Sequence, residues 1–108
     1  MATERDRLRE PEARILALRI AASRPGQEAA TAYIKDHVTD YIDLTPIDLE
    51  RSPTRHNEQK WRQIVGNVVS HEQASTSIFN MGYAVRMPDI DGIRVTDNGV
   101  EYLQELGY

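Results

Sequence analysis

Between Asn57 and His71 the chain carries Asn57, Gln59, Arg62, Gln63, Asn67, Ser70 and His71. Amide and guanidinium groups make paired hydrogen bonds to the edges of nucleobases, arginine to guanine and asparagine or glutamine to adenine. Gln59, Arg62 and Gln63 are best placed for base edges if the run is a helix that approaches a groove by its N-terminal half. Arg51, Arg55 and Lys60 beside them suit phosphate clamps. Asn67 and His71 lie on the flank of the polar side that holds Ser70, where phosphate contact, base contact or a bond fixing the next turn are all open. Trp61, the sole tryptophan, has two uses: packing in the core, or apolar contact to a base methyl group. Further on, Arg86 and Arg94 flank a turn bearing Asp89 and Asp91. The arginines can reach a phosphate backbone or a minor groove, while the two acids repel phosphate and hold the tip away from it.

Catalytic chemistry finds less support. Glu58-Gln59-Lys60 and Pro88-Asp89 resemble the two metal-binding halves of restriction-type nucleases, but in reverse order, and the first lies at a helix start where acid and amine point apart. His37, His56 and His71 lack zinc-site spacing, and no serine sits in a Gly-x-Ser-x-Gly turn. The glycines form no phosphate loop. Without cysteine there is no disulfide framework, thiolate zinc site or cysteine nucleophile. The expectation is a protein that is not an enzyme on its own and uses neither metal nor cofactor.

Charge is unevenly spread. The chain has a net charge of -4, yet from Arg51 to His71 four basic residues stand against one acid, Glu58. One positive face is therefore possible on an acidic protein, and a merely solvated helix face is the competing explanation. With 108 residues the chain makes one domain with one small core. The charged N-terminus and the lack of a long apolar run point to a cytoplasmic protein with neither signal peptide nor membrane span.

The elements that must position these residues follow from periodicity. Residues 11–23 form a first helix, with Pro11 in its opening turn and Pro25-Gly26 as its stop. Ala30, Tyr33, Ile34, Val38 and Tyr41 predict a second amphipathic helix over 29–41. Thr45-Pro46-Ile47-Asp48 predicts one capped turn, a connection rather than a core element. From Asn57, as cap, to about Ser75 a third helix places Trp61, Ile64, Val65 and Val68 on one side and Gln59, Arg62, Gln63, Gly66 and Ser70 on the other. Tyr83–Met87 and Ile93–Val95 read as strands joined by a turn at 88–92. Thr96 caps a last helix in which Val100, Leu103 and Leu106 recur at i, i+3, i+6, ended by Gly107.

This order predicts an α+β, mostly α, winged helix-turn-helix domain: a three-helix core, a β-hairpin wing and a C-terminal helix. Residues 1–10 form a charged extension and 11–108 the domain. The run through Asn57, Trp61, Arg62, Val65, Asn67 and Ser70-His71, then Ile78-Phe79, Gly82-Tyr83 and Gly92 to Gly99, resembles winged-helix domains of modification-dependent restriction endonucleases. The relatives in view are the N-terminal domain of Mrr-type enzymes and the readers of N6-methyladenine. The likeness spans about residues 13 to 106. It implies a specificity module that binds double-stranded DNA, adenine-methylated, within a restriction-modification system, with cleavage supplied by a nuclease domain elsewhere in the polypeptide. Asn57, Gln59, Trp61, Arg62 and Gln63 carry the implied base and methyl contacts. Two alternatives stand beside it. A winged-helix transcription regulator would read unmodified DNA and dimerise through its first and last helices, and a protein-interaction winged helix would bind no DNA.

Overall fold

The computed structural model describes residues 7–51 and 58–108. Helix α1 (Glu10–Ala22) begins with Pro11 and two acids in its first turn and carries Arg19 in its last, each charge opposing the partial charge of the helix end beside it. Its buried residues, among them Ala13, Leu16, Ala17, Leu18 and Ile20, occupy far more than one stripe. That breadth makes α1 the central helix, packed by α2 (Thr31–His37), α4 (Lys60–Ser70), α5 (Asp97–Glu105), β1 (Glu28–Ala30) and β3 (Gly92–Val95). Alanine at 13, 17 and 21 lets neighbouring backbones come close.

The sheet is antiparallel with strand order β1-β3-β2, where β2 is Ala84–Met87. Ala29 faces Ile93 across β1 and β3, and Arg86 faces Ile93 across β2 and β3. The connection between β2 and β3 is a 3-10 turn at Pro88–Ile90 closed by Asp91 in the left-handed region at φ 48°. Thr96 caps α5 as expected: its hydroxyl accepts from the Gly99 N–H at 3.1 Å and donates to the Gly82 carbonyl at 2.6 Å. Leu103 is buried, whereas Leu106 lies past the last helical turn and is exposed.

Three expectations need correction. Residues 28–30 form a strand, so the second helix starts at Thr31, ends at His37 and gives way to a 3-10 turn at Val38–Asp40. Ala29 suits either a helix face or a strand, and the pairing with distant Ile93 decides for the strand. The third helix, α4, stops at Ser70 rather than near Ser75. There the Ser77 hydroxyl bonds the Glu72 carbonyl at 3.1 Å, and the Asn80 amide bonds the carbonyls of Gln73 and Ala74. These side chains offer the backbone an alternative to the helix ladder. The expected cap Asn57 lies outside the described residues, and Gln59 holds the N-cap position without a side-chain cap bond.

The third correction concerns the N-terminal segment. Leu8 is buried, so the packed domain reaches into what reads as a charged extension. Its anchor is the turn α3 (Pro46–Leu49), which has the capping box expected of Thr45 and Asp48. Asp48 is itself buried and accepts the Leu8 N–H at 2.6 Å and the Thr45 N–H at 3.0 Å. The connection is thus also a clasp on the chain start. Asp48→Ala leaves two backbone donors without this acceptor and is expected to cost about 1–3 kcal/mol, measured by urea denaturation. A loss under about 0.5 kcal/mol would show that water replaces the carboxylate.

Candidate nucleic-acid interface

Helix α4 packs on α1, α2 and α3. Trp61, Val65, Val68 and Val69 are its buried residues, so at about 100° per residue its outward row is Lys60, Gln63, Asn67 and Ser70. Lys60 and Ser70 are exposed, Gln63 and Asn67 half-buried. This row is rotated from the expected one: Arg62 sits on the flank toward α2, and Asn67 moves from the flank to the centre. The apolar stripe includes Val69, whereas Ile64 is only half-buried at its border.

The predicted base-reading side chains are held within the protein. Gln59 accepts the Trp61 indole N–H at 3.0 Å, and Gln63 donates to the Glu58 carbonyl at 3.2 Å. The Arg62 guanidinium meets Asp36 at 3.1 Å and Glu58 at 4.0 Å, and it lies 4.9 Å from the Trp61 ring centre. Lys60 pairs with Glu50 at 2.8 Å, and Lys35 of α2 with Glu58 at 2.9 Å. Arg51 is exposed and joins Gln59 in an isolated β-bridge. His71 approaches Glu10 at 3.6 Å. Arg55, like Asn57, lies outside the described residues.

Trp61 is only 4% exposed. Its ring belongs to the core, and the methyl-contact role expected of it is not open to it in this arrangement. Beside it lies a cleft of about 390 Å³, lined by Leu8, Ile47, Trp61 and Ile64 together with Gln63 and the charged Arg7, Arg9, Glu10, Asp48 and Lys60.

The hairpin arginines have structural partners as well. Arg86 donates to the Gly92 carbonyl at 2.7 Å and pairs with Asp91 at 2.7 Å, which ties the turn to its own strand. Arg94 pairs with Glu28 at 3.1 Å across β3 and β1. Tyr83 is half-buried and stacks on Tyr102, ring centres 4.2 Å apart.

Sequence reasoning counted Glu58 as the one acid among the bases but overlooked Asp36 and Glu50 as part of this face. The only local signal was the i, i+4 spacing of Glu58 and Arg62; the other partners come together only through the packing of α2 and the approach of residue 50. Among the described residues, no group of three or more His, Asp or Glu side chains is placed to hold a metal ion, and no helix is long and apolar enough to cross a membrane. Comparison with protein-family models, curated proteins and solved structures returns no match.

Proposed function

We propose that the chain is a winged helix-turn-helix module that binds double-stranded DNA through the outward face of α4, with the β2–β3 hairpin as its wing. The observation that carries this reading is the row Lys60, Gln63, Asn67 and Ser70 on the helix that precedes the hairpin, in a fold whose sheet order is β1-β3-β2. Amides and a hydroxyl on one helical face match the donor and acceptor pattern of base edges. Gln63 and Asn67 are the base-reading residues, and Lys60 and Arg62 flank them, each paired with an acid.

The finer specificity is N6-methyladenine, read in the major groove within a modification-dependent restriction system whose nuclease domain lies elsewhere. In this reading the methyl group meets Ile64 and Ile47 at the cleft mouth instead of the Trp61 ring. Each buried methyl is worth about 0.8 kcal/mol. Two methyls, one on each strand, give about a tenfold preference.

Fluorescence anisotropy tests both levels, with one short palindromic duplex in unmethylated, hemimethylated and fully methylated forms at two salt concentrations. Tighter binding of the methylated duplex is expected. Gln63→Ala and Asn67→Ala should each weaken it by about 1–3 kcal/mol and leave the weaker binding to random duplex unchanged. Equal losses on both duplexes would reduce them to phosphate contacts.

A protein-binding winged helix is the second reading. It is favoured by the acid pairing of Lys60, Arg62, Arg86 and Arg94 and by exposed Ile47 and Leu49 beside α4. Absence of salt-dependent binding to any duplex would select it.

A further inference from the structure

The three cations around the N-terminal half of α4 are matched by three carboxylates. Lys35 meets Glu58, Arg62 is shared by Asp36 and Glu58, and Lys60 meets Glu50. All these side chains keep contact with solvent, Asp36 and Glu50 more than half exposed. Among the described residues, the cations Lys35, Lys60 and Arg62 therefore lie in a face of balanced charge.

From this pairing, and resting on the DNA-binding reading above, we infer that Asp36 and Glu58 determine specificity by holding Arg62 of α4 and Lys35 of α2 away from phosphate. Affinity for arbitrary duplex comes from phosphate neutralisation and the release of counterions. A phosphate that displaced Asp36 or Glu58 from Arg62 would still have a carboxylate beside it, and the repulsion would offset the attraction. Hydrogen bonds from Gln63 and Asn67 to base edges carry no net charge and escape this penalty. Suppression of unwanted partners by repulsive groups is a general route to selectivity. Here it means that a duplex is retained only where its bases match.

Isosteric neutralisation tests the inference. Glu58→Gln, Asp36→Asn and the double variant are compared with wild type on a random duplex over a salt series. Glu101→Gln removes one charge from an exposed acid on α5, which carries none of these pairs, and serves as control. Melting temperature and circular dichroism verify each fold. Each substitution near α4 is expected to raise affinity for random duplex about three- to tenfold and to steepen the plot of log K against log salt by about one unit for each additional phosphate neutralised. Glu101→Gln should have a smaller effect. The inference is overturned if wild type binds duplex and the α4-side variants show the same affinity and salt slope, or if Glu101→Gln matches them, since the effect is then one of net charge. In both cases the DNA-binding reading stands. If no folded protein in the set binds any duplex, that reading falls and the inference with it. Binding by the double variant alone would support the inference.

Discussion

Trp61→Ala is expected to destabilise the domain by about 3–5 kcal/mol. The ring is 4% exposed and packs with Val65 and Val68 in the core that α4 shares with α1. Its truncation removes more apolar surface than any other single change on α4 and leaves a cavity that the flanking helices fill only in part. The indole N–H also bonds Gln59, so the change frees the residue at the N-cap of α4. A domain of this size has a total stability of about 5–15 kcal/mol, and the variant therefore retains a small margin or none. Circular dichroism in urea measures the loss, because the only tryptophan disappears with the substitution. A cost below about 1.5 kcal/mol would show that the ring is solvated and available to a ligand. Trp61→Phe keeps most of the ring and should stay folded.

Gly92→Ala is the second large effect. A Cβ at this position would lie 2.0 Å from the Ala29 carbonyl oxygen and 2.7 Å from the Ala30 Cα. Both obstacles are backbone atoms of β1, and neither can retreat without breaking its pairing with β3. Overpacking of a rigid site costs about 1–3 kcal/mol and occasionally more, and a clash with backbone on a central strand belongs at or above the upper end. Gly66→Ala is the matched comparison. Its Cβ would meet only the movable end of Lys35, at 3.4 Å, and the exchange of glycine for alanine inside a helix gains up to about 1 kcal/mol. Thermal and chemical denaturation should place the two variants on opposite sides of wild type. A neutral Gly92→Ala would mean that β1 and β3 are not so closely joined.

The parts legible in the sequence are those set by near neighbours. The proline and acids at the start of α1, the capping box at Thr45 and Asp48, and the Thr96 cap all act within a few residues. The hairpin strands are legible for the same reason. What escaped depends on partners far along the chain. Ala29 becomes a strand residue because Ile93 is opposite it, and Leu8 becomes core because Asp48 receives its N–H. At the candidate site the residue types were legible and their electrostatic state was not. Four bases in the segment from 51 to 71 promise a positive face; Asp36 reaches Arg62 from 26 residues away and pairs with it. The rotation of the outward row has a similar origin, since the burial of Val69 among neighbouring elements defines which side of α4 remains outside.

The placement of β1 bears on how the domain assembles. This strand follows α1 after a 3-10 turn at Pro25–Gln27, yet its only sheet partner among the described residues is β3, and Glu28 and Arg94 are 66 positions apart. Helices and the β2–β3 hairpin form from local contacts in microseconds, whereas closing so long a loop carries a large entropic cost before any pairing compensates for it. Completion of the sheet is therefore a late event in folding. Residues 92–95 must leave the ribosome before α1 and β1 gain this partner, and a nascent chain halted before Gly92 would hold the helices α1 to α4 without the strand that pairs with β1.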